Sequence, residues 1–282
     1  MTTQDLYSKL DYRRTIINRL GLGFLGLASL VAILPLLFIL YYVFQRGIAG
    51  LNLTFFTSLP KPVGEAGGGL GNAALGTLVL VGLGSFIGVP IGIASGLYLS
   101  EFRRSRYTNT LRSAVELLAG VPSIILGIFA YALIVVPMKG FSALAGSLAL
   151  AVILIPTVAK TTEEVLKLVP DHIREAGLGL GLPRWRVILS IVLYGSRSGI
   201  LTGVMLAVAR ISGETAPLLF TALNSQYWPR GILQPISSLP VQIYTYAISP
   251  FDDWTQLAWT GSMVLVLFVL VANLLMRGIV RK

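Results

Sequence analysis

Residues 160–197 read KTTEEVLKLVPDHIREAGLGLGLPRWRVILSIVLYGSR, a charged stretch set between strongly apolar runs. It carries Glu175-Ala176-Gly177 and then Gly181. Val169-Pro170-Asp171 is a helix start, because Pro is tolerated in the first turn and Asp suits the positive end of the helix dipole. The spacing predicts a short helix from 171 to about 180, stopped by Gly181 with Pro183 beyond. Ala176, Gly177 and Gly179 leave its surface smooth, so another protein can pack closely there. Glu175 can hydrogen-bond at such an interface, and His172 reads as a solvated or interface residue.

The flanking runs decide what kind of chain holds this stretch. Of the 282 residues, 55% are hydrophobic and 12% charged, with a mean hydropathy of +0.79. Soluble domains carry about 25% charged residues, so most of this chain does not face water. Cysteine is absent, which excludes disulfides, thiolate metal sites and cysteine nucleophiles. A single histidine leaves no imidazole cluster. The net charge of +10 would fit nucleic acid, but the basic residues flank apolar spans, and that is a topology signal.

About 20 apolar residues cross a bilayer as a helix. The runs 20–44, 66–100, 117–138, 140–159 and 254–276 carry no charge. The second opens on glycines, so its helix is placed at 73–99. A further span is placed at 198–222, although it holds Arg210 and Glu214. The segment 231–251 is not a span, because Pro235, Pro240 and Pro250 interrupt it; it reads as a structured external segment. The first run is too long for the apolar core of a signal peptide and reads as a true span. The expectation is an all-α membrane protein of six transmembrane helices, with residues 1–19 as a tail and 20–282 as the membrane domain. That tail is either an amphipathic helix on the inner membrane surface or a frayed basic segment.

Orientation follows from lysine and arginine. Lys9, Arg13, Arg14, Arg19, Arg103, Arg104, Arg106, Arg112, the six in 160–197, and Arg277, Arg281 and Lys282 make 17 on one side. Arg46, Lys61, Lys139 and Arg230 make 4 on the other. The positive-inside rule then puts both termini and the loop 160–197 in the cytoplasm.

Gly84, Gly88, Gly92 and Gly96 recur every four residues, as do Gly195, Gly199, Gly203 and Ala207. Such ridges let helix backbones approach in lipid and read as packing surfaces. The run from Gly67 to Asn72 lacks the Gly-Lys-Ser/Thr ending of a phosphate loop and reads as a flexible turn. Pro90, Pro122 and Pro156 fall within or at the end of spans, where they bend the axis. Glu116 either caps its helix or pairs with Arg112, and Asp252 and Asp253 cap the last helix or face outward.

The loop also carries a resemblance. Permeases of ABC importers share Glu-Ala-Ala, three residues, Gly, nine residues, then Ile-x-Leu-Pro. Glu175, Ala176, Gly181, Ile191 and Leu193 fit that register, with Gly177 for the second Ala and Tyr194 for the Pro. Gly71-Asn72-Ala73, Gly76-Thr77-Leu78, Leu97-Tyr98-Leu99-Ser100-Glu101 and Leu118-Ala119-Gly120-Val121-Pro122-Ser123-Ile124 resemble segments of phosphate-import permeases. The segment from Ala209 through Arg210, Glu214 and Thr215 to Ala222 is similar to that of the PstA-type permease family of phosphate ABC importers.

The resemblance implies the type I ABC importer permease fold in the cytoplasmic (inner) membrane, in a chain that is no enzyme and holds no cofactor. It implies a second, different permease of the PstC type and a periplasmic or surface-tethered phosphate-binding protein. Two copies of a P-loop ATPase would bind ATP and Mg and dock on a coupling helix at 170–181, through Glu175, Ala176, Gly177 and Gly181. Arg210 lies 13 residues beyond Arg197, about 20 Å along a helix, and Glu214 shares its face. One reading makes the two a structural pair that locks helices. The other puts Arg210, Glu214 and Thr215 beside the phosphate path, where Pro217 unwinds residues 213–217. An ion-coupled secondary transporter, which needs no Glu175 motif, and an ABC permease for another solute are the rival functions.

Overall fold

The computed structural model describes residues 3–65, 67–103 and 105–280, and every described element is helical. Arg104, Arg281 and Lys282 of the basic count lie outside the described residues, as do the side chains of Leu6, Lys9, Leu10, Arg13, Ile16 and Arg277. Helix α1 (Thr3–Gly47) and a short α2 (Leu53–Thr57) lead to α3 (Gly71–Glu101). Next come α4 (Arg106–Gly120), α5 (Ser123–Ala130), α6 (Val136–Met138) and α7 (Ala143–Lys167). The stretch 160–197 continues from the end of α7 through α8 (Asp171–Gly179) and α9 (Arg184–Arg186). Then follow α10 (Arg197–Ser212), α11 (Ala216–Thr221), α12 (Leu239–Ala247) and α13 (Asp252–Val280). Widened π turns at Tyr131–Val135 and Val187–Leu193 join α5 to α6 and α9 to the approach to α10.

Four unbroken helices are long and apolar enough to cross a membrane: Ile17–Gly50, Gly71–Glu101, Ala143–Lys167 and Asp252–Leu275. Two bent pairs, 106–138 and 184–212, bring the number among the described residues to as many as six if each pair is one span. The centre is α3 lying parallel to α7, and the glycine ridge is the reason they meet. A Cβ at Gly84 or Gly88 would sit 3.1 Å from the carbonyl oxygen of Ser147 or Ala151, and one at Gly96 2.5 Å from that of Ala159. Only a bare Cα permits that approach, and the close backbones gain dispersion contact that lipid alone would not supply. Helix α10 runs antiparallel on α7: a Cβ at Gly199 would meet Val165 and one at Gly203 would meet Thr161. Gly195 has open space around it and does not belong to the ridge. Leu80, Leu150, Leu154, Val158, Val204 and Ile211 fill the core between these helices.

Three expected boundaries differ. The tail is not a separate surface helix, since α1 runs unbroken from Thr3 through Pro35, with no glycine or proline between 3 and 20 to stop it. The expected third span, 117–138, is broken at Val121-Pro122, where the helix axis bends by 105°. Val121 is extended (φ −71°, ψ 130°), as the residue before a proline prefers. Pro90 and Pro156 lie inside continuous helices, so of the three prolines only Pro122 coincides with a break. The expected fifth span, 198–222, ends its helix at Ser212 and resumes at Ala216.

Helix α1 stands apart from this core. Its described side chains are exposed apart from its last turns, where Tyr42 meets Trp259 edge to face at 5.2 Å. Thr260 Oγ1 donates to the Gly47 carbonyl at 3.0 Å, and Gln256 Nε2 to that of Arg46 at 2.8 Å. Gly67 and Gly68 are the turn residues (φ +83° and +99°), but Gly71 begins α3 and Asn72 is buried, its Nδ2 donating to the Ser225 carbonyl at 2.7 Å. Arg112 does not pair with Glu116, which is exposed; it reaches Glu163 of α7 at 2.7 Å. The partner lies across the bundle because α4 folds back along α7, and Lys167 completes the cluster at 2.6 Å from Glu163.

Candidate functional site

The end of the bundle where α3 and α7 finish carries α8. Pro170 (φ −63°, ψ 145°) precedes its first turn, which holds Asp171. At the other end Gly181 adopts φ +78°, the left-handed conformation that costs glycine little. Its N–H donates to Leu178 O at 2.9 Å and Leu182 N–H to Gly177 O at 3.3 Å. These are the two bonds of a Schellman ending, so Gly181 sets where the helix stops.

His172, Glu175, Ala176, Gly179 and Leu180 are exposed on α8. Gly177 departs from the smooth outward surface expected of it. It is buried, and a Cβ there would sit 3.0 Å from Val187 and from Ile191. Gly177 therefore seats α8 on the segment that leads into α10. Ile191, which fits the register of the importer motif, is part of that seat. Tyr194, where the motif has Pro, is exposed and lies under the Arg197 guanidinium at 4.4 Å.

Sequence spacing did not reveal the side chains that hold α8 from behind. Arg174 is 15% exposed and Glu101, the last residue of α3, 5%. Arg174 donates to Glu101 Oε1 from Nε at 3.1 Å and from Nη2 at 2.8 Å. The same guanidinium caps the carbonyls of Val169 at 2.6 Å and Leu166 at 3.1 Å, and touches Asp171 Oδ1 at 3.3 Å. Arg184 Nη2 donates to the Glu101 carbonyl at 3.2 Å and lies 5.1 Å over the Phe102 ring, which stacks on Tyr98.

A second charged pair lies at the far end of α10. Arg210 Nε is 3.8 Å from Glu214 Oε1, beyond hydrogen-bond range, with side chains 52% and 16% exposed. Between them the helix ends: Ser212 closes α10, Gly213 to Thr215 are not helical, and Ala216 starts α11 with Pro217 in its first turn. Proline has no N–H for a continuing ladder, and its ring crowds the preceding turn. Helix α5 braces the break, since a Cβ at Gly127 would lie 2.6 Å from Pro217 Cα. Thr215 is partly buried, and its carbonyl accepts from Leu218 N–H at 3.1 Å and Leu219 N–H at 3.2 Å. The structure thus brings Arg210, Glu214 and Thr215 together at one break, and keeps them apart from α8 by the length of α10. Among the described residues no group of three His, Cys, Asp or Glu is arranged for a metal.

An all-helical, multi-pass chain with an exposed helical loop and an interrupted, charged span has the makings of a transport permease. The family described as binding-protein-dependent transport system inner membrane component matches residues 88–282, and this chain belongs to it. It is a multi-pass inner-membrane transport subunit, not an enzyme.

Full-length relatives narrow the position within the family. The chain is 45% identical to the phosphate transport system permease protein PstA of Yersinia pestis, over 94% of this chain and 90% of the relative. It is 47% identical to that of Haemophilus influenzae, over 94% of each. The probable PstA of Methanocaldococcus jannaschii is 37% identical over 91% of each. Among solved structures, an inward-facing MetNI methionine ABC transporter superposes with a TM-score of 0.64 at 19% identity, covering 74% of this chain and 93% of that one. That likeness supports the type I importer permease fold.

Proposed function

We propose that this chain is the PstA-type permease subunit of an ATP-driven importer that moves inorganic phosphate into the cell. The observation that carries the reading is identity of 45–47% to phosphate permeases over nearly the whole of both chains. The α8 end faces the cytoplasm, as the basic residues around it require. A P-loop ATPase, present in two copies and binding ATP and Mg, docks on the exposed face of α8 through Glu175 and Ala176. Gly177 and Gly181 act behind that face by seating and ending the helix. A second permease of the PstC type completes the path, and a periplasmic or surface-tethered phosphate-binding protein delivers the anion from the other side.

Arg210, Glu214 and Thr215 line the path. A charge within a membrane span is costly unless it faces a cavity or a partner. Half of the Arg210 side chain is open on this chain's own surface, and 3.8 Å separates it from its carboxylate. That geometry supports a cation available to an oxyanion through charge-assisted donors. Glu214 offsets Arg210 in the empty state and repels bound phosphate, which keeps the anion releasable. The broken helix beside Gly213 lets the polar backbone approach the path, as discontinuous helices do in other transporters.

The test is reconstitution in liposomes of this chain with a PstC-type permease, the ATPase and the binding protein. Phosphate-dependent ATP hydrolysis and phosphate uptake are the expected results. Uptake of another solute in place of phosphate, or uptake without the ATPase, would overturn the reading.

A further inference from the structure

The geometry points to Arg174 and Glu101 as a positioning pair that makes α8 and α3 move as one body. The inference rests on α8 being the ATPase dock, and it concerns what lies behind that dock. A guanidinium has five N–H donors, and Arg174 directs them at Glu101 Oε1, at the carbonyls of Leu166 and Val169, and at Asp171 Oδ1. One side chain on α8 thereby holds the last residue of α3, the last turn of α7 and the linker between α7 and α8. Arg184 adds a second hold on the same place, through the Glu101 carbonyl and the Phe102 ring.

Helix α3 is suited to carry a displacement onward. It is one unbroken helix from Gly71 to Glu101, welded to α7 through its glycine ridge. Its other end grips the segment between α11 and α12 and the first residue of α12. Asn72 donates to the Ser225 carbonyl at 2.7 Å, and Thr77 Oγ1 accepts from Leu239 N–H at 2.8 Å. The dock and the far face are therefore each tied by polar contacts to the two ends of one rod. A push on α8 that stretched Arg174 away from Glu101 would strand a nearly buried carboxylate, so the cheaper response is for α3 to follow.

The test uses the assembled transporter in liposomes and reads phosphate moved per ATP hydrolysed, normalised to the ATPase retained. Glu101→Gln keeps an acceptor but removes the charge, and Arg174→Lys keeps the charge but removes the fork. Each is expected to lower the ratio by roughly 3- to 30-fold, the span of ordinary coupling perturbations, with ATP hydrolysis persisting. The double variant is expected to fall no further than the worse single, because both act on one contact.

An unchanged ratio in both singles overturns the pair's role, as does a double variant in which the two losses multiply. Loss of the ATPase from both singles overturns it too, since the pair would then serve assembly. The chain has no cysteine, so Ala176→Cys places its sole thiol on the exposed face of α8. Failure of that thiol to cross-link to the ATPase in an otherwise unaltered complex overturns the dock itself. Cross-linking with an unchanged ratio leaves the dock standing and rejects only the pair.

Discussion

Arg174 and Arg210 each face one principal carboxylate, and the two pairs are built differently. Arg174 lies 2.8 Å from Glu101, with side chains 15% and 5% exposed, and every remaining donor has a carbonyl or carboxylate to meet. Arg210 lies 3.8 Å from Glu214, with its own side chain 52% exposed. A nearly buried pair joined by two hydrogen bonds, with a partner for every remaining guanidinium group, resists separation, because either partner left alone is an uncompensated charge. A loose, half-open pair gains little from its own attraction and gives it up at small cost when a stronger anion arrives. The same residue types therefore form a tight joint at the α8 end of the bundle and a loose, half-open pair at the far end of α10.

The contrast breaks most directly in stability. Arg174→Met keeps the length of the side chain and removes every donor, leaving the Glu101 carboxylate and the Val169 carbonyl without the partner the arginine supplies. It is expected to destabilise the detergent-solubilised protein by roughly 3–5 kcal/mol, the cost of breaking a buried pair from one side. Thermal unfolding against the unaltered protein measures it, and a loss below about 1 kcal/mol would place Arg174 among ordinary surface arginines.

Arg210→Gln should do the reverse. Stability stays within about 0.5 kcal/mol, as for other exposed substitutions. Phosphate uptake falls roughly 10- to 100-fold, the worth of one hydrogen bond to a charged group. Normal uptake by an assembled Arg210→Gln complex would return the pair to a structural role.

Gly127 tests whether the loose pair depends on the break beside it. The Cβ of Gly127→Ala would enter the space held by Pro217, 2.6 Å from its Cα. Overpacking of this kind costs about 1–2 kcal/mol. The strain falls on the turn from Gly213 to Thr215, so uptake should fall while ATPase retention, assigned to α8 in the proposed function, does not. Equal losses of both would mean that the two ends are not separable.

How far these two regions could be read from sequence differs in the same way. Helix α8 was legible, because Pro170, Asp171, Gly181 and Pro183 are local punctuation whose effect does not depend on distant partners. The glycine ridge on α3 was legible too, as a spacing of four, whereas the helical face expected of Arg210 and Glu214 ends at Ser212, so Glu214 comes within 3.8 Å of Arg210 from beyond the helix. The Arg174–Glu101 contact joins residues 73 apart, and the Arg112–Glu163 contact residues 51 apart. No periodicity reports such pairs, because they are set by the packing of α3 and α4 on α7 and of α8 on the end of α3. A bend at Pro122 was expected, but not a 105° break of the span, for a related reason. Proline before a helix and proline inside one look alike in sequence, and here the polar face of α4, tied to α7 through Arg112, decides which it is. Gly177 was misread because a small residue reads equally as a smooth outer surface or as a close inner contact, and only the position of Val187 and Ile191 chooses.

The smallest expected effect sharpens the tight joint from within. Asp171 also lies within reach of Arg174, at 3.3 Å, but its side chain is 79% exposed. Water solvates it whether or not the arginine is near, so its attraction is screened and ought to be worth no more than about 0.5 kcal/mol, as for other i,i+3 surface pairs. Its charge also sits in the first turn of α8, where it favours the helix dipole by a similar small amount. Asp171→Asn is therefore expected to leave the phosphate moved per ATP unchanged and to shift unfolding by less than about 1 kcal/mol. If it instead matched Glu101→Gln in its effect on that ratio, the grip on α8 would come from a local pair within the helix. Helix α3 would then have no privileged part in carrying the motion.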